Sequence, residues 1–338
     1  MLIHLSEIIE EQTMHPAFSV IFLTTLIGVG QGLFLALFTG QSYSAVKLLP
    51  AATSVEFYSI GGLIALIFLV GGLIASFFHL GHPERAWRAA AMWRTSWLSR
   101  EVIALPIVMG LLFIYSVMHY FGWDIVLFTS QAGAELSLSL IIGILGMLAT
   151  FALFLCTGMI YACLKFLQEW HSPLTVINYT LLGTASGFVL ATAFATYTAP
   201  GLLKFFGIWS IIITLTALIT RTASLIRNRN IKYKSSPQTA IGVRHTKVKQ
   251  IAMGMMGGSV NTRDFNHHAS ALFFKSIKWV FLILVFIVPS ILIWMGIEEA
   301  NRTILFSAFI IQYIGLIAER WFFFAQANHP QNIYYQTV

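Results

Sequence analysis

Side chains able to do chemistry are sparse in this sequence, and they stand at the ends of long apolar runs. His79 follows a run that ends at Phe78, Glu101 precedes one that begins at Val102, and Glu319 with Arg320 interrupts the last. An ionisable group inside or beside such a run is costly and is a functional candidate by default. One imidazole and one or two carboxylates at the end of an apolar pocket suit a lipid-soluble molecule that gains or loses protons together with electrons. Interconversion of quinone and quinol is that reaction, because neutral imidazole and carboxylate can hydrogen-bond the ring oxygens and pass protons to water. On this reading His79 and Glu101 carry the chemistry, while Gln31, Glu319 and Arg320 shape the quinone pocket.

Each residue also has a structural reading. His79 precedes Leu80-Gly81-His82-Pro83 and is placed to hydrogen-bond the frayed end of its helix. Glu101 follows Arg100 and fits a helix-start carboxylate favoured by the dipole, or an ion-pair partner of Arg94 or Arg320. Glu319 and Arg320 fit a pairing with neighbours that makes the last run tolerable in lipid, and Gln31 fits a hydrogen bond between two helices. Glu135 and His119 belong to the opposite ends of their runs and read as interfacial.

The elements that must position these groups follow from composition. Of 338 residues, 57% are hydrophobic and only 10% charged, and the mean hydropathy is +0.79. A soluble domain carries about a quarter charged residues, so a water-soluble enzyme is excluded. A bilayer core needs roughly 20 apolar residues per helix. That measure gives eight spans: Ala17 to Phe38, Phe57 to Phe78, Val102 to Phe121, Leu138 to Leu164, Ile177 to Thr198, Leu203 to Thr220, Trp279 to Ile297 and Thr303 to Phe324. Met1 to His15 is acidic and lacks the basic start of a cleavable signal peptide. An even number of spans puts both termini on one side. Sorted by side, seventeen of the twenty Lys and Arg share that side, and only Lys47, Lys204 and Arg302 oppose them. The positive-inside rule makes the rich side cytoplasmic, and His79, Glu101, Glu319 and Arg320 all fall near it.

The chain reads as one membrane domain, 1–338, with one long connection, 221–278, on the cytoplasmic side. Its basic start, Arg227 to Lys234, fits contact with anionic headgroups. Its later part, Gly254 to Phe265, mixes glycine, methionine and an aromatic, and reads as a loop that docks a partner. Gly28-Val-Gly-Gln-Gly32 follows no strand, so it fits close helix packing rather than a phosphate loop. Two cysteines, Cys156 and Cys163, are too few for an iron–sulfur cluster or structural zinc. No two of the ten histidines lie deep within different spans, so the chain is expected to hold no haem.

The stretch Phe78-His-Leu-Gly-His-Pro-Glu-Arg-Ala-Trp-Arg88, with Arg94-Thr-Ser-Trp-Leu-Ser-Arg-Glu101, resembles the signature of the DMSO reductase anchor subunit (DmsC-like) family. Shorter likenesses surround Gln31 (Gly28 to Phe34) and Glu319-Arg320 (Gly315 to Phe324). The resemblance implies a haem-free, eight-span subunit that binds menaquinone or ubiquinone. It implies two partners, an iron–sulfur subunit with 4Fe-4S clusters and a molybdopterin catalytic subunit. The family's quinol-site His and Glu fall on His79 and Glu101. The long sixth connection is similar to the branch found in cytoplasmic sulfite-oxidising molybdoenzymes, the SoeC type, which implies electrons passing from sulfite to quinone.

The sequence is therefore expected to encode an all-α, polytopic anchor in the cytoplasmic membrane, with both termini cytoplasmic, that reduces quinone but does no sulfur chemistry itself. Arg85, Arg88 and Arg94, with Met256, Asn261 and Arg263 of the long connection, are expected to form the docking surface. The alternatives are a quinol-oxidising anchor of a DMSO, polysulfide or tetrathionate reductase, and a secondary transporter. A transporter would show paired interrupted helices, midplane charges and often an internal repeat, and the sequence offers none of these convincingly.

Overall fold

A backbone in hydrocarbon must satisfy its own N–H and C=O groups, and for runs this apolar the helix is the solution. The computed structural model describes residues 18–49, 55–131, 134–232, 237–243, 245, 248 and 271–327. Helices α1 (Phe18–Ala45), α2 (Val55–Phe77) and α3 (Trp97–Phe121) come first. They are followed by α4 (Leu138–Ala162), α5 (Pro173–Thr198), α6 (Leu203–Arg229) and a short α7 (Pro237–Ile241). The seventh long run is composite: α8 (Ala271–Leu282), a π-helical turn at Ile283–Ile287, and α9 (Val288–Glu298). Helix α10 (Arg302–Ala325) is the last described helix. Eight of these helical runs are long and apolar enough to cross a membrane. Outside them lie a 3-10 segment, Pro83–Met92, before α3, and an antiparallel hairpin, β1 (Val126–Thr129) with β2 (Glu135–Ser137), between α3 and α4.

The helices start where polar side chains take up their free N–H groups. Ser96 accepts from Ser99 N, Ser137 from Leu140 N, Ser172 from Leu174 N, and Asn301 from Thr303 N and Ile304 N. These caps correct several expected boundaries. Helix α3 begins at Trp97, so Glu101 stands in its second turn and is not a helix-start carboxylate. Helix α5 begins at Pro173, and α1 runs on to Ala45, past the expected end at Phe38. Helix α6 continues to Arg229, so Arg221 lies within the bundle and the sixth connection starts after it.

Helix α1 is the most enclosed, packed against α2, α5 and α4. The motif Gly28-Val-Gly-Gln-Gly32 is the reason α1 and α5 come so close. A Cβ on Gly32 would lie 2.1 Å from the Gly183 carbonyl oxygen, and one on Gly187 would lie 2.0 Å from the Gly32 carbonyl carbon. The π-helical turn has a local cause too. Pro289 has no N–H to give the Val285 carbonyl four residues earlier, and Gln312 Nε2 of α10 donates to that carbonyl at 3.2 Å.

Candidate functional site

The helix ends that carry His79, Glu101 and Arg320 meet at one end of the bundle. Thr157 Oγ1 of α4 donates to Glu101 Oε1 at 2.5 Å, tying α3 to α4 at the carboxylate. The described residues show no ion pair between Glu101 and Arg94 or Arg320. Arg100, the preceding residue, turns away and donates to the carbonyls of Trp93 and Arg94 at 2.9 and 2.8 Å, closing the connection onto the start of α3.

Two cavities flank Glu101. The outer one, of about 240 Å³, runs between α1, α2, the 3-10 segment and α3. Its walls are apolar, among them Ile27, Leu73, Phe77, Trp87, Leu98 and Leu105, with His79, Ser76 and Glu101 as its polar groups. The inner cavity, of about 20 Å³, lies between α1, α4, α5 and α10, and has room for about one water. Its polar lining includes Gln31, Glu101, Thr157, Tyr179, Ser186 and Arg320. The two cavities share Leu23, Ile27 and Glu101, so the Glu101 side chain is the polar part of the wall between them.

Arg320 is fixed from behind. Its guanidinium carbon lies 3.6 Å from the centroid of the Tyr179 ring, and its Nη1 lies 3.4 Å from Glu319 Oε2. The other oxygen of Glu319 lies 2.7 Å from Arg221 Nε. The Arg221 guanidinium carbon lies 5.5 Å from the Phe281 ring centroid and 6.0 Å from that of Phe322. One carboxylate between two guanidinium groups offsets part of the cost of burying them and leaves a single net positive charge. Glu319 lines neither cavity; its link to the inner one is its contact with Arg320.

The DMSO reductase anchor subunit (DmsC) family matches residues 12–325 of this chain. The chain belongs to that family. It is 55% identical over 325 residues to a sulfite dehydrogenase subunit of Allochromatium vinosum, an alignment covering 96% of this chain and 100% of the relative. The protein is thus a multi-pass membrane anchor subunit of an oxidoreductase complex, and eight helices among the described residues are long and apolar enough to be its spans.

In this anchor protein the structure brings together most of the residues singled out in the sequence. His79 and Glu101 line one groove, and Glu101, Gln31 and Arg320 line the inner cavity. Gln31 also makes the interhelical contact, donating from Nε2 to the Thr150 carbonyl at 3.3 Å. His79 stands just beyond α2, and its partial burial at the groove holds the imidazole below its ordinary range, favouring the neutral form. Arg85, Arg88 and Arg94 are exposed on and after the 3-10 segment, Arg88 over the Trp87 ring and Arg94 over the Trp93 ring. Met256, Asn261 and Arg263 lie outside the described residues. His119 does not stand free at the interface: its ring packs 4.9 Å from Tyr58 and 4.5 Å from Tyr115.

Three further residues of the site are not marked out by the sequence. Thr157 and Tyr179 are ordinary residues in apolar helices, and nothing local distinguishes them. Arg221 has a usable signal, since it stands a single residue past an apolar run and the last run carries an acid, Glu319, in need of a partner. Thr220 looks like the end of the helix, so Arg221 passes for a loop cation.

Proposed function

We propose that this protein reduces quinone, taking electrons from an iron–sulfur partner that is itself reduced by a molybdopterin subunit oxidising sulfite in the cytoplasm. The observation that carries the reading is the position of Glu101 in the wall between an apolar groove holding His79 and a polar inner cavity. The groove fits a quinone by the chemistry of its lining: aliphatic and aromatic walls for a lipid-soluble ring and tail, with an imidazole and a carboxylate as partners for ring oxygens. Quinone supplies the two-electron acceptor, which takes up two electrons and two protons to become quinol.

The chain's own part is to bind, orient and deliver protons. Neutral His79 hydrogen-bonds one ring oxygen at the open side of the groove. Glu101, steadied by Thr157, hands a proton across the wall and is recharged through the inner cavity, where Gln31 and Arg320 hold water. The sulfite half, sulfite and water giving sulfate, two protons and two electrons, belongs wholly to the partner. That substrate is supported by the relative's name and by the 55% identity.

The cationic bias supports the cytoplasmic face as the site-bearing side of an inner membrane, with both termini there. It survives when the buried Arg221 and Arg320 are set aside. Beyond Gln31 and Thr150 the interior is filled by Leu33, Phe34, Leu37, Leu112 and Val189, all buried. Proton uptake and electron arrival then share one side, and quinone reduction moves no net charge across the membrane.

The reading is tested with His79→Ala and Glu101→Gln in the assembled complex. Each should lower electron transfer to quinone by about a hundredfold or more while dye-linked sulfite oxidation persists. Undiminished quinone turnover in both variants overturns the site.

A further inference from the structure

We propose that the iron–sulfur partner docks over the connection between α4 and α5, residues 163–172, and that its electrons pass inward through the aromatic cluster beneath. This rests on the quinone-reducing reading and adds the place where the electrons arrive.

The connection is short, and it is held rigidly rather than left as a free loop. Arg227 of α6 donates from Nη1 to the Gln168 carbonyl at 2.9 Å and from Nη2 to the His171 carbonyl at 3.0 Å. Asn228 Nδ2 donates to the Glu169 carbonyl at 3.4 Å, and His171 Nδ1 lies 2.5 Å from the Ala162 carbonyl. Trp170 Nε1 donates to the Phe323 carbonyl at 2.9 Å, which pins the connection to α10. A rigid surface loses little conformational entropy on docking.

Directly beneath stands a continuous set of rings. Trp170 stacks on Phe323 with centroids 5.5 Å apart and planes at 15°, and Tyr161 stacks on Tyr179 at 5.5 Å and 18°. Tyr161 also meets Trp170 and Phe323 edge-on, both at 5.5 Å, and Phe323 meets Tyr179 at 5.6 Å. Trp170 is part-exposed at the membrane face, whereas Tyr179 is buried, carries the Arg320 guanidinium and lines the inner cavity. The cluster therefore runs from the protein surface to the lining of the inner cavity, on which Glu101 also stands. Electron transfer falls steeply with distance through empty space, so packed matter over this interval favours it.

The surface around the connection selects the partner's charge. Lys165, Arg229 and Lys232 are exposed there, while Glu169, the acidic residue of the connection, is buried. A protein with carboxylates around a cluster near its own surface complements that arrangement. Each reduced 4Fe-4S cluster gives up one electron on oxidation, so two deliveries, with two protons taken up at the groove, turn one quinone into one quinol.

The experiment uses the purified three-subunit complex. A Lys165→Cys variant in a Cys163→Ser background, labelled with a benzophenone maleimide and irradiated, should give an adduct with the iron–sulfur subunit. An adduct only with lipid or with the molybdopterin subunit, or none, overturns the docking site. Because this readout needs no quinone turnover, its failure is separable from failure of the His79 and Glu101 variants. Lys165→Glu with Arg229→Glu should weaken retention of the iron–sulfur subunit on washed membranes about tenfold, more at low salt than at high. Unchanged retention overturns the docking site as well. Trp170→Leu should slow quinone reduction in complexes that remain assembled, with Trp170→Phe largely restoring it, and equal rates in both would remove the aromatic cluster from the route.

Discussion

Arg221 Nε and Glu319 Oε1 lie 2.7 Å apart, with both side chains only 1% exposed, between two helices long and apolar enough to cross a membrane. Removing one partner of such a pair strands a buried charge at a cost of roughly 3–5 kcal/mol. Arg221→Met should therefore sharply lower the thermal midpoint of the complex in detergent. Arg221→Lys should retain much of the stability, because a cation remains. If Glu319 acts through Arg320, Glu319→Gln in assembled complexes should raise the KM for quinone more than it lowers kcat. A midpoint unchanged in Arg221→Met would show that the pair does not hold α6 to α10.

The Thr157 hydroxyl donates to Glu101 Oε1 at 2.5 Å. A buried hydrogen bond contributes about 0.5–1.5 kcal/mol net, which corresponds to about two- to tenfold in rate or affinity. Thr157→Val should lower quinone turnover by about that factor, while Thr157→Ser stays near wild type. Equal turnover in both variants would show that the contact does not steady the carboxylate.

Partial burial lowers the His79 pKa from the ordinary imidazole value. The neutral form then persists to lower pH than it would for a free imidazole, whose ordinary value is about 6.5. Quinone turnover should stay flat from neutral pH down to that point and fall below it. His79→Gln should be slower and should lack this acid limb. A limb centred above pH 7 in the wild type would assign it to a different group.

A Cβ at residue 187 would stand 2.0 Å from Gly32 backbone atoms. Backbone cannot yield as a flexible side chain does, so Gly187→Ala should exceed the usual cost of overpacking, about 1–3 kcal/mol. Gly110, with nothing within 4 Å of its Cβ position, is the control. Membrane yield and monodispersity should collapse for Gly187→Ala and hold for Gly110→Ala. Equal behaviour of the two would contradict the close approach of α1 and α5.

A phosphatase fused after Val338 should be inactive, and a fluorescent protein at the same place should be bright, as for a cytoplasmic C-terminus. The reverse pattern would invert the orientation drawn from the charge bias and remove the argument for a cytoplasmic partner.

The sequence by itself determined the parts of this protein that depend on one helix at a time. Hydrocarbon demands long apolar runs and penalises charges within them, so eight spans, a shared end for His79, Glu101 and Arg320, and the cationic face were all legible. The glycines of Gly28 to Gly32 also announced a close helix contact, although not that α5 supplies the other side. Tertiary structure alone decided which polar groups meet across helices. Low-dielectric surroundings make an unpaired buried charge costly, and partners such as Arg221 for Glu319, Thr157 for Glu101 and Tyr179 beneath Arg320 lie 98, 56 and 141 positions away in the chain. No local pattern encodes that pairing. It follows from how α3, α4, α5, α6 and α10 pack, and that packing sets Glu101 between two cavities where the linear sequence showed only an acid beside an apolar run.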